Sequence, residues 1–176
     1  MEKSNERSVY LSIRMRRHLK DQLTADARRH KTNLNALINT TLEKHVSFDS
    51  ISEHVRAIPV NQNLFAAMLE SVSEERMEGI GIELGPRLIR NTFLFLNIKY
   101  DLDNLIEHYF EPLGSFSGWY NFSSTEGGPN RKLIFEHTHG PKWSAFLKRY
   151  IAGIIKAATG VEPRITLEDG LLVAYC

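Results

Sequence analysis

Apolar and polar residues alternate strictly along the segment SVYLSIRM, residues 8–15. A period of two is typical of a β-strand with one buried face, so the pattern predicts a strand here. The expected faces are an apolar one of Val9, Leu11, Ile13 and Met15 and an opposite one of Ser8, Tyr10, Ser12 and Arg14.

Two short helices are predicted after this strand. Leu19, Leu23 and Ala27 recur every fourth residue through RHLKDQLTADARRH, which places them on one helical face. Asn33 is a favourable N-cap for the second helix. The apolar face of that helix is formed by Leu34, Leu37, Ile38, Leu42 and Val46.

A lone strand has no sheet partner in its own chain, so its edge and its apolar face both need cover. We therefore expect a homodimer with antiparallel paired strands, and higher oligomers remain an open alternative. Four helices would cover Leu11 and Ile13 of each copy. The opposite face would present two copies of Tyr10, Ser12 and Arg14, and a ribbon of this width fits the major groove of double-stranded DNA.

Residues 7–46 resemble the ribbon-helix-helix, or Arc/MetJ, class of DNA-binding domains. Met15 and Leu19 match the apolar pair that joins strand to helix, and TNLNALINTTLEKHV matches the second helix. Arg16-Arg17 and Lys31 depart from the proline or small residue, and from the glycine, that many members have. The resemblance implies base contacts from Tyr10, Ser12 and Arg14, and we expect phosphate contacts from Asn33, Leu34, Asn35, Arg28 and Lys31.

Charge divides unevenly along the chain. Residues 1–46 hold ten Lys and Arg against five Asp and Glu, a net charge of +5, and the remainder holds twelve against sixteen, a net charge of −4. A cationic head on an anionic body favours a polyanionic partner for the head.

Residues 47–61 are predicted to form a polar linker with a short strand near residues 55–60, followed by an α+β domain over residues 62–176. Helices are predicted from about Asn63, from Pro86 after a break at Gly79, Gly81 and Gly85, and from Asp101 to an end at residues 112–114. A β-β-α-β-β order is predicted next. The first hairpin consists of a strand with Phe116, Gly118, Tyr120 and Phe122, a turn at residues 126–130 and a second strand, KLIFEHTH. A helix from Pro141 to Gly160 and a closing hairpin around residues 168–170 follow. The fold class expected is α+β, with a dimeric βαα head and an antiparallel four-stranded sheet backed by helices.

The segments GIELGPRLI, DLDNLIEHYFEPLG and RYIAGIIKAATG are similar to those of the vinyl reductase type of small-molecule-binding domain and of the related TRAPP trafficking-complex subunits. The resemblance implies a pocket for a small apolar or aromatic effector, which we assign to Phe93, Trp119, Tyr120, Phe135, Trp143 and Tyr150. Aromatic residues of this kind are more often plain core. Some members hold zinc through cysteines in the last hairpin, but Cys176 is the single cysteine here, so no cofactor is expected.

His137 and His139 lie two residues apart on a predicted strand, a spacing that suits a metal ion, although a surface role is commoner. His108 and Glu136 are the least implausible further ligands, and no third ligand follows from spacing. We therefore predict no metal.

Catalysis has little support in the sequence. GIGIELG is a poor dinucleotide loop because no strand precedes it, and no nucleophile, base and acid follow a recognisable spacing, so we expect a protein that is not an enzyme. No signal peptide or run of ~20 apolar residues is present, which predicts a cytoplasmic protein with no membrane partner.

The favoured function is a sequence-specific transcription regulator with an effector-sensing body. The alternative is an assembly module whose head only dimerises or binds DNA without sequence preference.

Overall fold

The computed structural model describes residues 9–125 and 131–176. The chain divides into two compact units, Met1–Glu43 and Lys44–Cys176. Ser8 of the predicted strand and the predicted turn at residues 126–130 lie outside the described residues.

The first unit contains two helices, α1 at Arg17–Arg29 and α2 from Leu34, which ends at Lys44. Both helices agree with the sequence pattern. Residues 9–16 form neither helix nor strand. A strand needs hydrogen bonds to a neighbouring strand, so the predicted ribbon could form only with a second copy of the chain.

The second unit is α+β, as predicted. Its helical segments in chain order are a π-helical turn at His45–Asp49, α3 at Ser50–His54, α4 at Gln62–Glu70, α5 at Glu74–Leu96, α6 at Leu102–Leu105, a second π-helical turn at Ile106–Phe110, α7 at Glu111–Phe116 and α8 at Pro141–Thr159. None of the helices in the described ranges reaches the length and hydropathy that a bilayer-spanning helix requires.

Two hairpins form one antiparallel four-stranded sheet, which confirms the predicted strand content. The strands are β1 at Asn121–Thr125, β2 at Lys132–Glu136, β3 at Arg164–Glu168 and β4 at Leu171–Tyr175, in the order β1-β2-β4-β3. The central pair aligns Leu133 with Ala174 and Phe135 with Leu172. All four side chains are buried, so one face of the sheet closes the core.

The segment predicted as a linker is partly helical. The backbone is helical through His54, and residues 55–60 contain no strand. Phe48, Ile51 and Val55 follow one another at spacings of three and four residues, a helical period that the polar neighbours conceal.

The break predicted at the glycines is wrong, because α5 runs unbroken for 23 residues with Pro86 inside it. Gly81 and Gly85 face α8 rather than a turn. A Cβ atom at Gly81 would lie 2.5 Å from the Phe146 carbonyl oxygen, and one at Gly85 would lie 2.8 Å from the Tyr150 carbonyl oxygen. These glycines therefore allow the two helices to approach closely.

The third predicted helix also extends further than expected. Asp101 caps α6 by accepting a hydrogen bond from the Asn104 N–H at 3.0 Å, as its position predicts. The predicted stop at residues 112–114 is wrong, because the backbone stays helical from the second π-helical turn into α7, with Pro112 in the first turn of α7. Strand β1 consequently begins at Asn121 rather than near Phe116.

Helix α8 matches its prediction closely. It begins at Pro141 and ends at Gly160, which adopts a left-handed φ of 77°. Its buried face contains Trp143, Leu147, Tyr150, Ile151 and Ile154, whereas Ala158 is half-buried. The core of the second unit is built around this helix, which packs on α5 and on the sheet.

Candidate functional site

The segment predicted to read DNA is exposed in the single chain. Tyr10 is 95% exposed, Leu11 72% and Ile13 52%, and Ser12 and Arg14 are exposed as well. Apolar and polar side chains of residues 9–14 are therefore all exposed to solvent. Within residues 9–14, no side chain of the predicted apolar face is buried.

The start of α2 has the geometry that the sequence predicts. The Asn33 side-chain oxygen accepts a hydrogen bond from the Ala36 N–H at 2.9 Å, which makes Asn33 the N-cap. Leu34 and Asn35 occupy the first turn, where backbone N–H groups have no acceptor within the helix.

Lys31 ends α1 in a conformation that favours glycine. Its φ is 54°, in the left-handed region, and the Thr32 N–H donates to the Ala27 carbonyl at 2.9 Å. The Lys31 N–H donates to the Arg28 carbonyl at 3.1 Å, so the turn is a Schellman motif. Lys31 therefore adopts a backbone conformation typical of glycine, and it exposes a cationic side chain beside the start of α2.

The first unit has very little core of its own. Among residues 9–43, Ala27 is the only side chain that is buried in the structure. Burial of apolar surface is the main favourable contribution to folding, and a single alanine supplies little of it. The remaining apolar positions of α1 and α2 are half-buried or exposed.

The second unit contains a cavity of about 1260 Å³. Four of the six residues predicted to form a ligand pocket line it, namely Trp119, Tyr120, Trp143 and Tyr150. The other two, Phe93 and Phe135, do not line it, and five of the six belong to the buried core, since Trp119 alone is half-buried. The fold thus brings most of the predicted pocket residues to one wall.

Edge-to-face aromatic packing builds that wall. The Trp119 and Trp143 ring centroids are 5.2 Å apart at 85°, and Trp143 also meets Phe65 at 5.0 Å and 86°. The Trp143 indole N–H donates to the Trp119 carbonyl at 3.1 Å, which fixes the orientation of its ring. Aromatic pairs of this geometry hold a preformed apolar surface.

Three tyrosines among the lining residues are buried almost completely. Tyr109 and Tyr150 hydrogen-bond to each other through their hydroxyls, and both are buried. The Tyr120 hydroxyl is buried and has no hydrogen-bond partner within the described part of the chain. Burial raises the pKa of Tyr109 to about 12 and raises the pKa values of Tyr120 and Tyr150 well above 10, so all three keep their protons at neutral pH.

His137 is held as a neutral imidazole. Its Nδ1 accepts from the His139 N–H at 3.2 Å, so the proton lies on Nε2, which faces the Ser144 hydroxyl at 3.1 Å. The Ser144 hydroxyl in turn donates to the Gly140 carbonyl at 3.3 Å. Burial, and then the neighbouring His139, lower the pKa of His137 to about 4.

The metal hypothesis finds no support in this geometry. Both ring nitrogens of His137 make hydrogen bonds, and His139 uses Nε2 to contact the Gly118 carbonyl at 2.8 Å. Across residues 9–125 and 131–176, no group of three His, Cys, Asp or Glu side chains is placed to hold a metal ion. His137 fixes the end of β2 against α8 instead.

We expect the stability of the second unit to fall as the pH is lowered through His137. In the unfolded chain His137 binds a proton near pH 6.5, whereas in the folded chain it does so only near pH 4. The stabilisation that neutral His137 provides is therefore fully present above pH 6.5. It amounts to about 2 kcal/mol and is lost as the pH falls towards 4. Urea unfolding between pH 7 and 4.5 measures this loss. His137→Gln removes the titrating group and should flatten the profile, and parallel profiles for the two proteins would refute the assignment.

Sequence reasoning missed several residues that line the cavity. Tyr109 and Phe146 lie in segments predicted to be helical, but their position at one cavity depends on how α5, the second π-helical turn and α8 pack. Phe48, Ile51 and Val55 line it from the segment predicted as linker. Their helical spacing was the signal that could have identified them.

Comparisons of the chain with protein-family models, with curated proteins and with solved structures found no match. Function is therefore inferred from the geometry of the chain itself.

Proposed function

We propose that this protein is a dimeric, sequence-specific DNA-binding transcription regulator whose second unit binds a small apolar or aromatic effector. One observation carries the proposal: a cationic first unit exposes alternating apolar residues 9–13 and buries only Ala27 among its described residues. Such a unit needs a partner of its own kind to obtain a core.

Pairing of residues 8–15 between two copies would complete the unit. Because side chains alternate along a strand, the pairing would bury Leu11 and Ile13 against the helices. Tyr10, Ser12 and Arg14 would then form the outer face of a two-stranded ribbon. Arg14 suits guanine because its guanidinium can donate two hydrogen bonds to O6 and N7.

Contacts to the DNA backbone would come from the start of α2. The Asn33 cap leaves the N–H groups of Asn33, Leu34 and Asn35 for a phosphate, which the positive end of the helix also favours. The exposed side chains of Arg28 and Lys31 add positive charge near this helix start. Such contacts fix register and contribute affinity without reading sequence.

The cavity supports effector binding by the second unit. The alternative, an assembly module, predicts a fully packed core in the second unit. A cavity of about 1260 Å³ lined by Trp119, Trp143 and Phe146 instead suits an apolar ligand. A role as a sensor therefore accounts for the aromatic wall better than a purely structural role does.

Selection of random duplex DNA by the intact protein tests the proposal. We expect enrichment of one site whose two halves are related by twofold symmetry, since a symmetric dimer presents the same residues twice. Addition of a bound effector should change the affinity for that site. Recovery of DNA without any enriched sequence would leave only a dimerising or non-specific head.

We also expect the intact protein to be a dimer at micromolar concentration, and the dimer to depend on Leu11. Leu11→Lys should weaken association at least about 100-fold, because each copy loses roughly 1.5–3 kcal/mol of buried leucine side chain. Ser12→Lys is the matched control, since it places the same side chain on the opposite face. Analytical ultracentrifugation separates the outcomes. A wild-type monomer, or equal weakening by both substitutions, would contradict the ribbon.

A further inference from the structure

The four-stranded sheet has one face that does not pack on the core, here called the outer face. Side chains alternate along a strand, so the buried residues of β2 and β4 leave the intervening positions on this face. The pairing register arranges these positions in three rows across the sheet. The first row is Thr125, Lys132, Tyr175 and Arg164, the second is Ser123, Ile134, Val173 and Thr166, and the third is Asn121, Glu136, Leu171 and Glu168.

The outer face carries opposite charges at its two ends. Lys132 and Arg164 flank Tyr175 in the first row, with the Lys132 Nζ 5.7 Å and the Arg164 Cζ 4.3 Å from the centre of its ring. Glu136 and Glu168 lie in the third row, about 13 Å away at ~3.3 Å per residue. None of these four charged side chains forms an ion pair within the described part of the chain.

The centre of the outer face is apolar. Ile134 and Val173 are aligned across β2 and β4, are half-buried, and are not among the residues that pack against the core. Leu171 is exposed and Tyr175 is half-buried at the two ends of this apolar strip. A sheet face that only meets solvent is usually polar. An apolar centre between unpaired charges of opposite sign is typical of a protein contact surface.

The pattern of the outer face is complementary to itself. Two copies can stack face to face about a twofold axis that lies between the sheets and runs across the strands. Lys132 then lies over the partner's Glu136, and Arg164 lies over the partner's Glu168. Ile134 and Val173 meet their own counterparts. A twofold axis along the strands would instead bring the two basic rows together, and also the two acidic rows, which like-charge repulsion disfavours.

We propose that the outer face binds the outer face of a second copy of the chain, with the strands antiparallel across the contact. The inference rests on the sheet of the second unit alone and goes beyond the proposed function, because it adds a second surface for self-association. Five residues on each of four strands cover roughly 16 Å by 19 Å, less than the ~800 Å² that each partner buries in a standard stable interface. The contact is therefore weaker than the head dimer.

Charge reversal in the intact chain tests the contact, with Leu11→Lys present throughout to remove the pairing proposed for residues 8–15. The acidic variant carries Lys132→Glu and Arg164→Glu, and the basic variant carries Glu136→Lys and Glu168→Lys. Each should self-associate at least about 10-fold more weakly than the Leu11→Lys parent, because like charges meet across the contact. An equimolar mixture should regain the parent's association, since every reversed charge then faces an opposite one. Sedimentation equilibrium at up to about 1 mM protein measures these affinities.

A double variant of α5 is the matched control. Arg76 and Arg87 are exposed on this helix, and Arg76→Glu with Arg87→Glu changes the net charge as much as the acidic variant does. This control should associate as the parent does. The sheet variants should keep the parent's Tm, because the reversed side chains are exposed. If a double variant lowers Tm, the single substitutions Lys132→Glu and Glu136→Lys repeat the mixing test.

Three results would overturn the inference. The first is a parent that stays monomeric at the highest concentration. The second is association of both sheet variants at the parent's level, or a mixture that associates no more tightly than its components. The third is an equal loss of association in the α5 control, which would assign the effect to net charge. None of these results bears on the ribbon, which Leu11→Lys and Ser12→Lys test in an otherwise unchanged chain.

Discussion

Arg14→Ala is expected to abolish most of the preference for the selected DNA site over random DNA. A bidentate contact between arginine and guanine contributes about 1–3 kcal/mol of discrimination, and a symmetric dimer makes that contact twice. Arg14 is exposed and lies at the end of the alternating segment, where no described ion pair holds it. Affinity for the selected site should therefore fall steeply, while affinity for random DNA should change little.

Substitutions at the positions expected to contact phosphate serve as the comparison for Arg14→Ala. Arg28→Ala and Lys31→Ala should weaken binding to all sequences alike and should make the affinity less dependent on salt, because fewer counterions are released. Tyr10→Phe and Ser12→Ala should change sequence preference more mildly than Arg14→Ala. Affinities on the selected and random sites at several salt concentrations measure both effects. If Arg14→Ala keeps the wild-type ratio of specific to non-specific affinity, the ribbon does not read bases through this residue.

Gly81→Ala should destabilise the second unit by roughly 2–3 kcal/mol. The added Cβ would lie 2.5 Å from the Phe146 carbonyl oxygen and 3.1 Å from the Tyr150 N atom, so α5 and α8 must separate. Overpacking of this kind costs more than the gain of about 1 kcal/mol that alanine brings to a helix. The affected contact lies in the core that also supports the cavity wall.

Gly79→Ala is the matched control for this prediction. Gly79 lies on the same helix, and a Cβ there meets no atom within 4 Å. This substitution should stabilise by about 0.5–1 kcal/mol through helix propensity alone. Urea unfolding followed by tryptophan fluorescence reports the second unit, because Trp119 and Trp143 are the two tryptophans of the chain. Equal effects of the two substitutions would show that α5 and α8 do not meet at Gly81.

The elements with strong local signals could be predicted from the sequence. Proline at its start, glycine at its end and a continuous apolar face define α8, and the two closing strands alternate around residues 168–170. The caps Asn33 and Asp101 were likewise identified from residue type and position. These features depend on neighbours within four residues, which is the range over which periodicity and capping act.

The helix break predicted at Gly81, Gly85 and Pro86 was wrong for a physical reason. A glycine that opens a turn and one that admits a neighbouring backbone look the same in sequence. Gly81 and Gly85 serve the second purpose, and Pro86 continues the helix while packing near Gly153. Only the approach of α8 distinguishes the two roles.

By itself, the sequence determined the two helices of the cationic head, the α+β character of the body and most of the aromatic residues that reach the cavity. The tertiary structure decided which of those residues line it: Trp119, Tyr120, Trp143 and Tyr150 do, whereas Phe93 and Phe135 do not, although all of them except Trp119 are buried in the core. It also placed Tyr109 beside Tyr150, 41 positions apart in the chain, and left the Tyr120 hydroxyl unpaired among the described groups. Contacts between residues so distant in sequence depend on how whole helices pack, and no local pattern contains that information.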